Sequence, residues 1–151
     1  MDSLGELYHE LILDHCRHPR CYGSLVNPTH EAHGVNPFCG DDVALALVID
    51  NHQHIKEIQF TGKGCAICMA SSSLMCEHLK NHSVSEALEL FTLFSSLFHE
   101  GASSQNDKLG KTQMLANVKA YPMRVKCVTL PWHTLKAALL KTSNQVSTEN
   151  G

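Results

Sequence analysis

The chain opens with an amphipathic stretch. Leu4, Leu7, Tyr8, Leu11 and Ile12 recur at helical spacing, and Ser3 with Glu6 forms a capping-box pattern. This predicts a helix over residues 3–17, stopped by Pro19. Residues 18–38 hold three prolines and two glycines, a loop composition with room for one short edge strand. Val43, Leu45, Leu47 and Ile49 then alternate, with Ala44, Ala46 and Val48 between them. That pattern is a strand buried on one face and nearly buried on the other. After a polar turn at Asn51–Gln53, Ile55, Ile58 and Phe60 form a return strand, which makes an antiparallel hairpin.

The second half reads as helical. Gly62-Lys63-Gly64 leads to a helix that Cys65 opens, with Ile67, Ala70, Ser71, Leu74, Met75 and Leu79 on one broad face. Ser83 and Glu86 make a second capping box ahead of Val84, Ala87, Leu88, Phe91 and Phe98. Residues 101–110 are polar and glycine-bearing, an exposed loop. A short helix is expected over 111–120, broken by Pro122, and a last one capped by Thr129 with Pro131 at its first position. The expected fold is α+β, a small antiparallel sheet with helices packed on one side. One domain is expected over residues 4–140, followed by a disordered polar tail, 141–151.

Composition narrows the function. Hydrophobic residues are 43% of 151, enough for one core. Twelve basic residues against fifteen acidic give a net charge of -3, without the basic footprint of a nucleic-acid binder. The longest apolar run, Val43 to Ile49, is too short to span a membrane. No basic segment followed by an apolar one marks a secretory signal, so the expected location is cytoplasmic. Seven cysteines, an odd number in a reducing compartment, favour metal binding or thiol chemistry over disulfides. The eleven histidines show no metal-finger spacing and are expected at the surface.

Three of the cysteines stand in segments suited to chemistry. Cys39-Gly40-Asp41 sets a thiol and a carboxylate two residues apart, and Gly40 lets the backbone turn so that both face one point. Cys65 stands at a helix start, where free amides and the helix dipole favour a thiolate. Cys127 follows Arg124 and Lys126, whose charges favour its thiolate too. Three thiols and a carboxylate suffice for tetrahedral zinc, with Lys63, Arg124 and Lys126 to offset the negative charge. Sequence separation leaves open whether they converge.

Three motifs carry a family resemblance. Asn36-Pro37-Phe38-Cys39-Gly40-Asp41 resembles the Asn-Pro-x-Cys-Gly-Asp motif of the IscU and NifU N-terminal family. Gly62-Lys63-Gly64-Cys65, with the run Ala70-Ser71-Ser72-Ser73, resembles the second cysteine motif; Arg124-Val125-Lys126-Cys127 through Trp132 resembles the third. Leu7-Tyr8 through Asp14-His15 to His18-Pro19-Arg20 is similar to the family's first helix. Where IscU proteins have a histidine before the third cysteine, this chain has Lys126. Where they have a Leu-Pro-Pro-Val-Lys chaperone motif, it has Tyr121-Pro122-Met123-Arg124-Val125-Lys126. An insert of roughly twenty residues precedes Cys127. These departures look SufU-like.

The resemblance implies an iron–sulfur cluster assembly protein, a zinc-dependent sulfur acceptor for a SufS-type cysteine desulfurase that feeds downstream iron–sulfur scaffold proteins. It implies Cys39, Asp41, Cys65 and Cys127 as metal ligands. Cys127 is the expected acceptor, in a segment free to move between Pro122 and Pro131, and Arg124 is expected to attract the persulfide. Alternatives on the same residues are a scaffold for iron or a [2Fe–2S] cluster and a non-catalytic zinc module. Plainer readings stand beside these. Cys16 and Cys76 are packing residues; Cys65 and Cys68 are a redox pair only with a thioredoxin-like strand order, which is not seen. Asp41 could be a turn residue, and Arg124 and Lys126 a solvated face.

Overall fold

The computed structural model describes residues 3–99, 101 and 106–148, with side chains from residue 5. Its elements are α1 (Ser3–Arg17), β1 (His30–Asn36), β2 (Asp41–Ile49), β3 (Ile55–Lys63), α2 (Ala66–Leu79) and α3 (Val84–Ser96). A 3-10 segment (Asp107–Ala120), α4 (Pro122–Leu140) and β4 (Gln145–Ser147) follow. The capping box expected at Ser3 rests on a side chain outside the described residues. Part of the loop expected over 101–110 also lies outside them.

Strand order is β3-β2-β1-β4. The first three pair antiparallel, with Leu45 opposite Phe60 and Ala32 opposite Leu45. Val43, Leu45, Leu47 and Ile49 of β2 are buried, whereas Ala44 is exposed and Ala46 and Val48 are half-buried. The sheet is therefore covered on one face, as a two-layer α+β fold requires. On that face α4 packs against β1 and β2, and α2 against β3 and α4; α1 lies on α2. Helix α2 is buried at Cys68 and then continuously from Ala70 to Cys76, so it is the central helix. Its serines let neighbours approach: the Ser71 hydroxyl donates to the Val128 carbonyl at 2.6 Å. The Ser83–Glu86 capping box is present at the start of α3.

Several expectations are corrected. The strand in the 18–38 region, expected at an edge, spans seven residues and lies inside the sheet. It does so because residues of the tail, expected to be disordered from 141, pair with it: β4 runs parallel to β1, with Val146 opposite Gly34. The sheet is thus mixed rather than antiparallel throughout. The helix expected from 111 begins at Asp107 and is interrupted at Gly110, whose φ is 54°. The last helix begins at Pro122, the proline that occupies its first turn, and Pro131 lies inside it. Cys127 accordingly sits on a helix rather than in a free segment between two prolines. Pro131 has no N–H for the carbonyl of Cys127, so the helical ladder is broken at that residue.

Candidate metal centre

The first two side chains are set by a hairpin turn. Asn36 ends β1 and pairs with Asp41 at the start of β2. Gly40 between them has a φ of 72°, a conformation open to glycine. Cys39 is left half-buried on the turn while Asp41 points inward with 2% exposure. The Asp41 carboxylate reaches the start of α2, where its Oδ1 accepts from the Cys65 N–H at 2.8 Å. Gly64 makes this approach possible: a Cβ there would stand 2.5 Å from Oδ1. Cys65 is the N-cap of α2, and its Sγ accepts from the Cys68 N–H at 3.4 Å. Helix α4 brings in Cys127, fully buried, with its Sγ 3.2 Å from that of Cys39.

Cys39, Asp41 and Cys127 present ligand atoms within 4.8 Å of one another, a group that could hold a metal ion. Tetrahedral zinc with Zn–S bonds of about 2.3 Å sets its sulfurs ~3.8 Å apart. The Cys39–Cys127 pair is closer than that, so the thiols need to part by a fraction of an ångström, and the donor set fits. Cys65 lies outside this tight group but borders it, since its sulfur interacts with Cys127. Asn36, fully buried, donates from Nδ2 to Asp41 Oδ2 at 3.2 Å, and that nitrogen is 3.5 Å from Cys127 Sγ.

The charges around the centre divide into two groups. Arg124 is exposed, and its guanidinium faces Cys65, Cys127 and Cys39; these sulfurs raise its pKa further. Burial, followed by hydrogen bonding with Cys39 and Asp41, pushes the Cys127 thiol well above its ordinary range. This reverses the expectation that cationic neighbours would lower it. Burial and the adjoining anionic groups outweigh them, a balance that a bound cation inverts. The Cys68 thiol is pushed up strongly as well, chiefly by burial, which makes it a poor partner for redox exchange with Cys65. Tyr8 of α1 is raised by burial and feels both Arg124 and Cys65, so the first helix borders the centre.

Of the expected residues, then, Cys39, Asp41 and Cys127 converge, Cys65 is adjacent and Arg124 lies near the sulfurs. Lys63 is exposed at the end of β3. Asn36 belongs to the centre although only its place in the first motif marked it. Phe38, bulky for that motif, is exposed, and the Lys126 amine sits 5.3 Å from its ring centroid, a cation–π contact. All seven cysteines are free thiols.

These features define an α+β domain that gathers thiols and a carboxylate where a hairpin turn meets two helices. Residues 7–128 match the NifU-like N-terminal domain, and the chain belongs to that family. It is 35% identical over 144 residues to the iron–sulfur cluster assembly scaffold protein IscU of Streptococcus pyogenes, covering 95% of this chain and 89% of that one. It is 33% identical over 139 residues to the zinc-dependent sulfurtransferase SufU of Bacillus subtilis, covering 92% and 93%. The crystal structure of a SUF-system scaffold protein, SufU of Fervidobacterium islandicum, superposes with a TM-score of 0.82 at 36% identity. That match covers 91% of this chain and 99% of the other.

Proposed function

We propose that this chain serves iron–sulfur cluster assembly as a zinc-dependent sulfur acceptor of a SufS-type cysteine desulfurase. Cys39, Asp41, Cys65 and Cys127 are the ligands, and the cytoplasm is the site of action. The observation that carries this reading is the convergence of Cys39, Asp41 and Cys127, with the Arg124 guanidinium close to the sulfurs. Bound zinc holds the sulfurs as thiolates and screens their repulsion.

Cys127 is the acceptor. Its thiolate attacks the outer sulfur of the desulfurase persulfide; a new S–S bond forms on Cys127 as the old one breaks, and the electron pair leaves on the desulfurase thiolate. Arg124 steers the incoming anion. Because Cys127 is buried, transfer requires the first turns of α4 to shift. Two features support such a shift: the missing N–H of Pro131, and the lack of a side-chain cap at Tyr121. The sulfur then passes to a downstream iron–sulfur scaffold protein. A second reading, a scaffold that builds a [2Fe–2S] cluster on the same ligands, is favoured by the half-exposed Cys39 and Cys65, which leave the centre partly open.

The test combines metal analysis with a desulfurase assay. Purified protein should hold about one zinc per chain. Adding it to a SufS-type desulfurase and cysteine should stimulate sulfide release with zinc retained and place the extra sulfur on the Cys127 peptide in mass spectra. Cys127→Ser should abolish that label. Arg124→Ala should slow loading about tenfold, the effect of ~1.4 kcal/mol at the transition state, and leave zinc in place. Label on Cys39 or Cys65, or normal loading of Cys127→Ser, overturns the relay. A coloured cluster after adding iron and sulfide, without desulfurase stimulation, selects the scaffold reading. Neither response leaves a zinc-binding interaction module.

A further inference from the structure

We propose that the C-terminal strand is a working part of the metal centre: Thr148 is a positioning residue that holds Asn36, and Asn36 holds Asp41 and Cys127. This rests on the metal-binding reading above and adds to it a segment beyond residue 128, where the family match ends.

The geometry is a continuous chain of contacts. Strand β4 is held along β1 by the His33 N–H to the Asn144 carbonyl at 2.9 Å and the Thr148 N–H to the Val35 carbonyl at 3.1 Å. That register sets Thr148 beside Asn36, and its hydroxyl donates to Asn36 Oδ1 at 3.2 Å. The other end of the same amide, Nδ2, faces Asp41 Oδ2 and Cys127 Sγ. The amide has two chemically different ends, and both are used: its donor end meets the two anionic ligand atoms and its acceptor end meets a hydroxyl.

The consequence is electrostatic and geometric. Donation from Nδ2 would offset part of the negative charge on a carboxylate and a thiolate holding one cation, and it fixes the direction of both. Asn36 is fully buried, so without the Thr148 hydroxyl its Oδ1 would lack the one donor it has among the described residues. The amide would then turn toward another donor or admit water beside the ligands. Contacts of this kind behind metal ligands typically change affinity by about 10–100-fold when removed. Strand β4 spans only three residues at the sheet edge, so this hold is light and reversible.

The test compares four full-length or shortened proteins: the natural chain, Thr148→Val, Thr148→Ser, and a chain ending at Ser143. Zinc affinity is measured by competition with a colorimetric chelator. The absorption of the cobalt(II)-substituted centre reports ligand geometry, and thermal melting is recorded with and without metal. Thr148→Val and the shortened chain should bind zinc about tenfold more weakly, with shifted thiolate-to-cobalt bands, and Thr148→Ser should restore both. The melting temperature of metal-free Thr148→Val should change little, while its gain on adding zinc shrinks. Unchanged affinity and cobalt spectra in Thr148→Val and in the shortened chain overturn the inference while the metal centre stands. Equal losses of melting temperature with and without metal in Thr148→Val also overturn it, as the mark of a merely structural contact. A natural chain that binds no zinc fails the metal-binding reading itself, and the inference falls with it.

Discussion

Asp41 shows how much one buried side chain links. One carboxylate oxygen accepts from the backbone of Cys65 at the start of α2, and the other accepts from Asn36. It therefore ties β2 to a helix start and to the turn that carries Cys39. Its neighbour Asp42, which the sequence offered as the better turn residue, lies instead inside β2, opposite Val35 and Lys63 and paired with His33 on the outer side. We expect Asp41→Ala to weaken zinc binding and lower sulfur loading. It should also destabilise the metal-free fold by about 1–3 kcal/mol, because the partner N–H groups lose a buried acceptor. Asp41→Asn should recover most of the metal-free stability without restoring full zinc affinity. Denaturant melts of both variants with and without zinc check this; full zinc affinity and activity in Asp41→Ala would make Asp41 a purely structural residue.

At the scale of elements, the joint between α1 and α2 has a pH dependence with a definite sign. His15 is fully buried, and its Nδ1 lies 2.7 Å from the Ser73 hydroxyl, which also accepts from the Arg20 N–H. Burial lowers the His15 pKa, with Arg20 and Lys111 acting in the same direction and Glu77 and Asp14 opposing. In the unfolded chain the imidazole titrates near its ordinary value of about 6.5. The folded protein thus binds fewer protons around that pH, and stability is lost as pH falls from there through the depressed folded value. His30 and His133 are lowered too and add to the same trend. Replacing His15 with Gln should flatten part of this fall. Melting curves of the natural chain and His15→Gln from pH 7.5 to 5 measure it, and parallel pH profiles would remove His15 as a cause.

For the molecule as a whole, two departures from the IscU pattern occupy real space. The 3-10 segment within the insert packs against α1, α2, α3 and α4, so it is part of the body. The segment that replaces the Leu-Pro-Pro-Val-Lys motif enters the first turns of α4, with Tyr121 and Met123 exposed. Chaperone recognition of that motif uses an extended segment whose side chains fill pockets on the partner. A helical segment with different side chains does not provide it. The expected outcome is no stimulation of the Hsp70-type chaperone that serves IscU proteins. A clear rise in its ATPase rate on adding this protein would contradict the SufU-like assignment.

The sequence alone determined the features that depend on near neighbours. Alternation at Val43–Ile49 predicts β2, Ser83 with Glu86 predicts the start of α3, and Gly40 predicts the turn that separates Cys39 from Asp41. Each depends on spacing or backbone freedom within a few residues. The motifs around Cys39, Cys65 and Cys127 indicated the centre through resemblance. Tertiary structure alone decided what depends on distant segments. Val146 is too polar in its surroundings to read as a strand, yet it joins the sheet through backbone pairing with Gly34. The joining of Cys127 to Cys39 depends on α4 crossing β1, and the upward shift of its thiol depends on burial there against nearby anionic groups. Local charge in Arg124 and Lys126 pointed the other way, because a flanking sequence records which charges are near along the chain and not how much water the fold removes.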